Sequence, residues 1–308
     1  MNRCATTSIT RTLPMWTVLC LVTVVSAAAF LAACGGSGGG SSPTPAATVT
    51  VTSAPSASPS PTTAPTATPS ATTTLSLYYL RGEELGVAER RVPHTTKPAT
   101  AAIDALLAGP TAAERAAGLT SAVPSGTRLL GLSIVGTTAR VDLSAQFAAG
   151  GGSLSMQARV AQVVYTLTQF PTIHAVDFML DGAVTETLGG EGLILDAGQT
   201  RTDWRGFEPA IFVESPGVGA MLSSPFALSG TASVFEGSFQ ARLVDAGGGE
   251  LANATIQASR GAPDRGRYRK SITFATTATK GELIVYSQSM EDGSRQNEVR
   301  IPVSLRQD

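Results

Sequence analysis

No charged residue occurs between Arg11 and Arg81. That long neutral stretch divides by composition into two parts. Met15 to Ala33 is apolar, with Trp16, Leu19, Leu21, Val22, Val24 and Val25 at its centre. Gly35 to Thr74 is Gly, Ser, Pro, Thr and Ala, broken only by Val49 and Val51. With so few apolar side chains the second part cannot offset its ordering entropy, so a disordered tether is expected, floppy at its Gly-rich start and extended where Pro and Thr take over. Any packed core has to lie beyond residue 74.

Arg3 and Arg11 precede the apolar run, Leu31-Ala32-Ala33-Cys34 closes it, and Gly35-Gly36 follows at once. A positive amino end, an apolar centre and a small-residue exit form the three-part pattern of a secretory signal. The closing stretch resembles the lipobox of bacterial lipoproteins. The resemblance implies that a signal peptidase reads Leu31, Ala32 and Ala33, that the chain is cut before Cys34, and that the Cys34 thiol takes a lipid. A transmembrane helix is the competing reading of so long an uncharged run. Thr17, Thr23, Ser26, the Ala-rich end and the missing Lys/Arg cluster after it weigh against that. The expectation is a signal peptide over residues 1–33 and a lipid-anchored tether over 34–74. The mature protein would sit on the extracytoplasmic face of the cell membrane, held by acyl chains such as palmitate.

Cys4 and Cys20 lie inside the signal, so Cys34 is the lone cysteine of residues 34–308. No internal disulfide and no Cys-based metal site can form there, and stability must come from packed cores. The whole chain carries 22 basic and 23 acidic residues. Such a balance gives no electrostatic case for a nucleic-acid partner.

Residues 75–205 alternate strand and helix signals. Leu75 to Leu80 is a β-rich run, with Arg90-Arg91-Val92 as a short partner. Ile103, Leu106 and Leu107 fall on one helical face within Thr100 to Ala108, and Gly109-Pro110 ends that helix. Thr111-Ala112-Ala113-Glu114 has capping-box spacing for a second short helix running to Gly118. Arg128 to Val135 and Ala139 to Leu143 alternate as strands around Gly136-Thr137. The clearest period runs from Ser153 to Phe170, where Met156, Val160, Val163, Val164 and Leu167 predict a helix with one buried face, stopped by Pro171. Val176 to Leu180, the turn Asp181-Gly182 and a return over Val184 to Leu188 complete an α+β domain, two helices packed on a mixed or antiparallel sheet.

Several of these stretches, Ala105 to Thr111, Gly118 to Pro124, Val141 to Ser144, Val164 to Phe170 and Val176 to Gly182, resemble the GerMN domain of spore-germination and sporulation proteins. The resemblance implies a small α+β module like the ring-building motifs of membrane-associated assemblies, so self-association is one expectation. It implies no catalytic residue.

From residue 206 to 308 the texture changes to short strands about ten residues apart. Candidates are Ile211–Val213, Phe226–Leu228, Phe239–Leu243, Ala254–Ile256, Tyr268–Phe274, Glu282–Tyr286 and Val299–Leu305. Gly247 to Gly249 and Asp292-Gly293 read as hairpin turns, and Pro302 as an edge position of the last strand. An all-β, immunoglobulin-like sandwich is expected. Ser215-Pro216-Gly217, Ser224-Pro225, Leu228 to Ala232, Phe235-Glu236-Gly237 and Asp245-Ala246-Gly247 resemble the immunoglobulin-like domain of bacterial spore-germination proteins, a domain commonly found directly after a GerMN domain.

Signs of catalysis are sparse. His94 and His174 stand apart without Cys or paired carboxylates, so each reads as structural or exposed, and no metal or cofactor is expected. There is no Gly-x-Ser-x-Gly elbow, P-loop or dinucleotide loop. Asp142 and Asp177, both on predicted strands, could face one another as an acid pair, but a solvated sheet face explains them better. Arg260, Arg265, Arg267, Arg269 and Lys270 form a basic cluster suited to anionic wall polymer, lipid headgroups or an acidic partner. Its competing reading is a solvated hairpin whose charges discourage edge pairing. The sequence therefore points to a non-enzymatic lipoprotein presenting two modules to an envelope protein. A cell-wall glycan or peptide binder is the alternative, and a hydrolase has the least support.

Overall fold

The computed structural model describes residues 71–190 and 192–307. The signal, the lipobox and nearly all of the tether lie outside the described residues. Where the tether and the structure overlap, the boundary moves. Thr72, Thr73 and Thr74 open β1 (Thr72–Arg81) and pair with Pro93, Val92 and Arg91 of β2 (Glu84–Pro93). Their composition continues the tether, but a branched Cβ suits a strand once a partner is present.

α1 (Pro98–Leu107) starts on a proline, whose fixed φ and missing N–H suit the first helical position. It gives way where Gly109 takes a φ of 77°. α2 (Ala112–Ala116) carries the expected capping box: Thr111 Oγ1 accepts from the Glu114 amide at 3.3 Å, and Glu114 Oε2 from the Thr111 amide at 2.7 Å. β3 (Leu129–Val135) pairs antiparallel with β4 (Thr138–Leu143), and after α3 (Ser153–Leu167) the chain returns as β5 (Ala175–Leu180), parallel to β4. The expected return over Val184 to Leu188 is broken in two. β6 (Ala183–Val184) pairs with β5, whereas β7 (Thr187–Leu188) pairs with β8 (Leu193–Ile194). The main sheet is mixed, in the order β3-β4-β5-β6. With α1 and α3 touching β1 as well as β3 or β5, the domain is α+β as expected.

α3 differs from a helix with one buried face. Met156, Val160, Val163, Val164 and Leu167 are buried as their spacing requires, but so are Arg159, Gln162 and Thr166 on a second, polar stripe. That stripe meets the outer edge of β1. Gln169, just past the helix, pairs with both backbone groups of Ser76 at 2.8 and 2.7 Å. Thr166 accepts from the Tyr78 amide at 3.3 Å, and Gln162 donates to the Tyr78 carbonyl at 3.1 Å. Leu80 then exchanges two 2.8 Å backbone bonds with Thr120. Side chains of a helix thus pair an edge that another strand would ordinarily cover, which accounts for a β1–β2 hairpin separate from the main sheet. Arg159 closes the other end of the stripe, donating to the carbonyls of Phe147, Ala149 and Gly150 at 2.6, 3.2 and 3.0 Å.

The second domain contains β9 (Ile211–Ser215), β10 (Met221–Leu222), β11 (Phe226–Ala232), β12 (Ser238–Asp245), β13 (Glu250–Gln257), β14 (Gly266–Ile272), β15 (Lys280–Gln288) and β16 (Arg295–Leu305). Among the described residues they form a sheet of order β10-β16-β15-β12-β13 and another of order β14-β11-β9. Phe239 of the first meets Tyr268 of the second edge-to-face at 4.9 Å between ring centres, inside an apolar core. Each predicted strand is present, most of them longer than their apolar kernel, but β14 ends at Ile272 and leaves Phe274 outside it; β10 is additional. Gly230, at a bulge between β11 and β9, has no room for a side chain, since a Cβ there would lie 2.0 Å from the Phe212 oxygen. Pro302 is not on an edge strand, because β16 has neighbours on both sides. Its carbonyl accepts from Gly219 at 3.1 Å, so its N–H-less nitrogen faces the side covered only by the two-residue β10 and the preceding turn.

The described residues of the two domains fall in one compact unit. β2 is continued by the second domain: Glu89 N–H donates to the Val218 carbonyl and Val218 N–H to the Val87 carbonyl, each at 2.8 Å. Gly217 permits this approach, because a Cβ would come within 3.0 to 3.1 Å of backbone atoms of Val87, Ala88 and Glu89.

Candidate functional site

The junction between the domains holds a polar cluster built from distant parts of the chain. Arg201, between β8 and β9, lies with its guanidinium carbon 4.8 Å from the Tyr165 ring centre and 5.2 Å from that of Tyr78. Its Nε donates to Thr168 Oγ1 at 2.8 Å, one terminal nitrogen to Tyr78 Oη at 3.1 Å, and the other to Glu214 of β9. Tyr78 Oη in turn donates to Glu214 Oε1 at 3.0 Å. A parallel arrangement lies beside it. Tyr165 Oη donates to Glu208 Oε1 at 2.6 Å, and Glu208 Oε2 takes Arg265 Nε at 3.1 Å and Thr231 Oγ1 at 2.9 Å.

The electrostatics are those of a clamp. Burial pushes the phenols of Tyr78 and Tyr165 well above the ordinary tyrosine value, so both remain neutral donors. Burial would depress Arg201, but Tyr78 and Glu214 together outweigh it and hold the guanidinium above its usual value. These three groups keep a single protonation state near neutrality. They can fix the domains against each other; they cannot shuttle protons.

Next to the clamp opens a cleft of about 740 Å³. One wall is the outer face of the smaller sheet, with Ser229 and Thr231 on β11 and Arg267 and Arg269 on β14; Arg205 also lines the cleft. Arg267 and Arg269 are exposed on either side of buried Tyr268, sharing a face as their alternation predicts. The rest of the predicted basic cluster disperses. Arg265 is held by Glu208, exposed Arg260 stands 3.9 Å from Asp264, and Lys270 is exposed outside the cleft.

A family model described as sporulation and spore germination, Germane, matches residues 76–186, and one for the immunoglobulin-like domain of bacterial spore germination, Gmad2, matches residues 210–294. The chain carries a GerMN-type domain followed by a spore-germination immunoglobulin-like domain. Among solved structures, the tandem GerMN domains of the sporulation protein GerM from Bacillus subtilis align at 18% identity over 66% of this chain, with a TM-score of 0.38. The alignment spans 62% of that structure, less than two thirds of its length. The first GerMN domain of the same protein aligns at 24% identity over 42% of this chain and 99% of its own length, with a TM-score of 0.36. No curated protein matches the chain.

Neither domain type is a known enzyme family, and the residues weighed for catalysis have other positions. In the GerMN domain Asp177 lies opposite Arg140, and Asp142 opposite Met179, so the two acids are not a facing pair. Asp142 accepts from the Gly182 amide at 3.0 Å and Asp177 from the Gly198 amide at 2.8 Å. His94 follows β2 with its Nδ1 3.5 Å from Thr73 Oγ1, and His174 is exposed one residue before β5. Among the described residues no group of three or more His, Cys, Asp or Glu could hold a metal. Sequence reasoning missed Arg201, Arg205, Glu208 and Glu214. They lie around the junction at residues 205 and 206, and the phenols that join Arg201, Glu208 and Glu214 to the first domain, Tyr78 and Tyr165, are remote in sequence.

Proposed function

We propose that this chain is a lipid-anchored extracytoplasmic protein whose GerMN and immunoglobulin-like domains act as one non-enzymatic interaction module in a bacterial envelope. The observation that carries the reading is Leu31-Ala32-Ala33-Cys34 standing directly before a charge-free Gly/Ser/Pro/Thr stretch and two germination-type domains. Cys34 carries the lipid, and Leu31, Ala32 and Ala33 are the residues read by the peptidase. The clamp supports a joint rather than a separate role, because both domains then meet a partner with fixed relative geometry. The test is labelling with radioactive palmitate in cells making the wild-type chain or Cys34→Ala. Label and membrane retention are expected for wild type and lost in the variant. Undiminished label on Cys34→Ala would overturn the anchor, and crosslinking in the same cells would identify the envelope protein that the domains meet.

A further inference from the structure

We infer that the cleft at the domain junction binds phosphate groups carried by an anionic envelope molecule. The inference rests on the extracytoplasmic reading above for the source of its ligand, but its chemistry stands on the cleft. Five arginines and two glutamates line it, and both glutamates are already taken: Glu214 by Arg201 and Glu208 by Arg265. Arg205, Arg267 and Arg269 make no side-chain hydrogen bond or ion pair among the described residues, so three cations face one cleft uncompensated. Ser229 adds a hydroxyl on the same wall. Guanidinium forks pair with oxyanions in bidentate geometry. Three of them with a hydroxyl offer more donors than the two oxygens of a carboxylate accept, and a phosphate accepts more.

Spacing favours a repeating ligand. Arg267 and Arg269, two residues apart on one strand, stand about 7 Å from each other along the chain, a distance suited to successive phosphates. The cations come from both sides of the junction, Arg205 as the last residue of the 75–205 segment and the other two from β14. Arg201 and Glu214 of the clamp line the same cleft and hold each other, so little ordering of that part is needed on binding. Phosphate is therefore bound only while the domains remain docked.

The test uses the full chain carrying Cys34→Ala, so that no acyl group contributes membrane affinity. Calorimetry with poly(glycerol phosphate), and cosedimentation with phosphatidylcholine vesicles with or without phosphatidylglycerol, distinguish a phosphodiester polymer from a lipid headgroup. Binding to one of these probes is expected, weakening with salt and falling about tenfold or more in Arg205→Gln/Arg267→Gln/Arg269→Gln. Arg260→Gln/Lys270→Gln, outside the cleft, should bind as the parent does. The three cleft arginines hold no partner, so the triple variant should keep the parent's melting temperature. If it melts earlier, the single changes carry the same test, each with a partial loss. Binding of neither probe, or equal loss in the cleft and control variants, overturns the proposal. Palmitate labelling reads the anchor independently of either result.

Discussion

The hydroxyl of Tyr78, on the first strand of the GerMN domain, donates at 3.0 Å to Glu214 on the first strand of the immunoglobulin-like domain. Arg201 completes the triangle by meeting both groups. These three residues make a polar core at the domain junction, with Arg201 as the cation that both other groups meet. Arg201→Met should lower stability by about 2–4 kcal/mol, because it strands Glu214 with a phenol as its remaining partner. Urea denaturation checks this. Glu214→Gln added to Arg201→Met should cost less than the sum of the single changes, as expected for one coupled unit.

Gln162 is fully buried, with Nε2 on the Tyr78 carbonyl at 3.1 Å and Oε1 accepting from the Ala122 amide at 2.8 Å. Gln162→Leu keeps most of the volume and leaves both backbone groups unpaired. A loss of about 2–3 kcal/mol is expected, with hydrogen exchange accelerating at Ala122 before α3 itself opens.

Gly217 sits against backbone, which cannot rotate aside as a side chain can. Gly217→Ala should push β2 away and weaken the bridge of Glu89 and Val218. A cost of about 1–3 kcal/mol is expected, with faster amide exchange at Glu89 and Val218 and little change in the sandwich core at Tyr268.

Glu114 gives the fold an acid-sensitive tie. Burial would raise its pKa, but Arg90, which donates Nε at 2.7 Å, and the Thr111 amide outweigh burial and hold the carboxyl below the ordinary range. A carboxyl depressed in the folded chain contributes its full stability above the unfolded value, about 4.3. That contribution is lost as pH falls through the folded value. Thermal melts from pH 6 to 2.5 should show the loss beginning near pH 4. Glu114→Gln should be less stable at pH 6 and show a shallower acid limb. Equal acid limbs would exclude the pair as its source.

The α3 stripe shows where sequence reading stops. Met156, Val160 and Val163 recur at helical spacing, and that period alone locates the helix. Gln162, Thr166 and Gln169 on the adjoining stripe look like residues meant for water, because a polar side chain reads the same whether its partner is solvent or a strand edge. The basic cluster is a related case. Alternation placed Arg267 and Arg269 on one face, but nothing near Arg265 in sequence distinguishes it from them; Glu208 does so from more than fifty residues away.

By itself the sequence determined the charge-free stretch between Arg11 and Arg81, the class of each of the two domains, most of the helices and strands, and the caps and turns. All of these depend on residues within a few positions of one another, where period, propensity and turn chemistry act. Only the tertiary structure decided that a helix would pair the edge of β1, that the domains would be clamped through Arg201, and which arginines would stay free around the cleft. Those outcomes depend on which buried polar groups find partners across long stretches of chain, and such pairing is settled only when packing brings them within hydrogen-bonding distance.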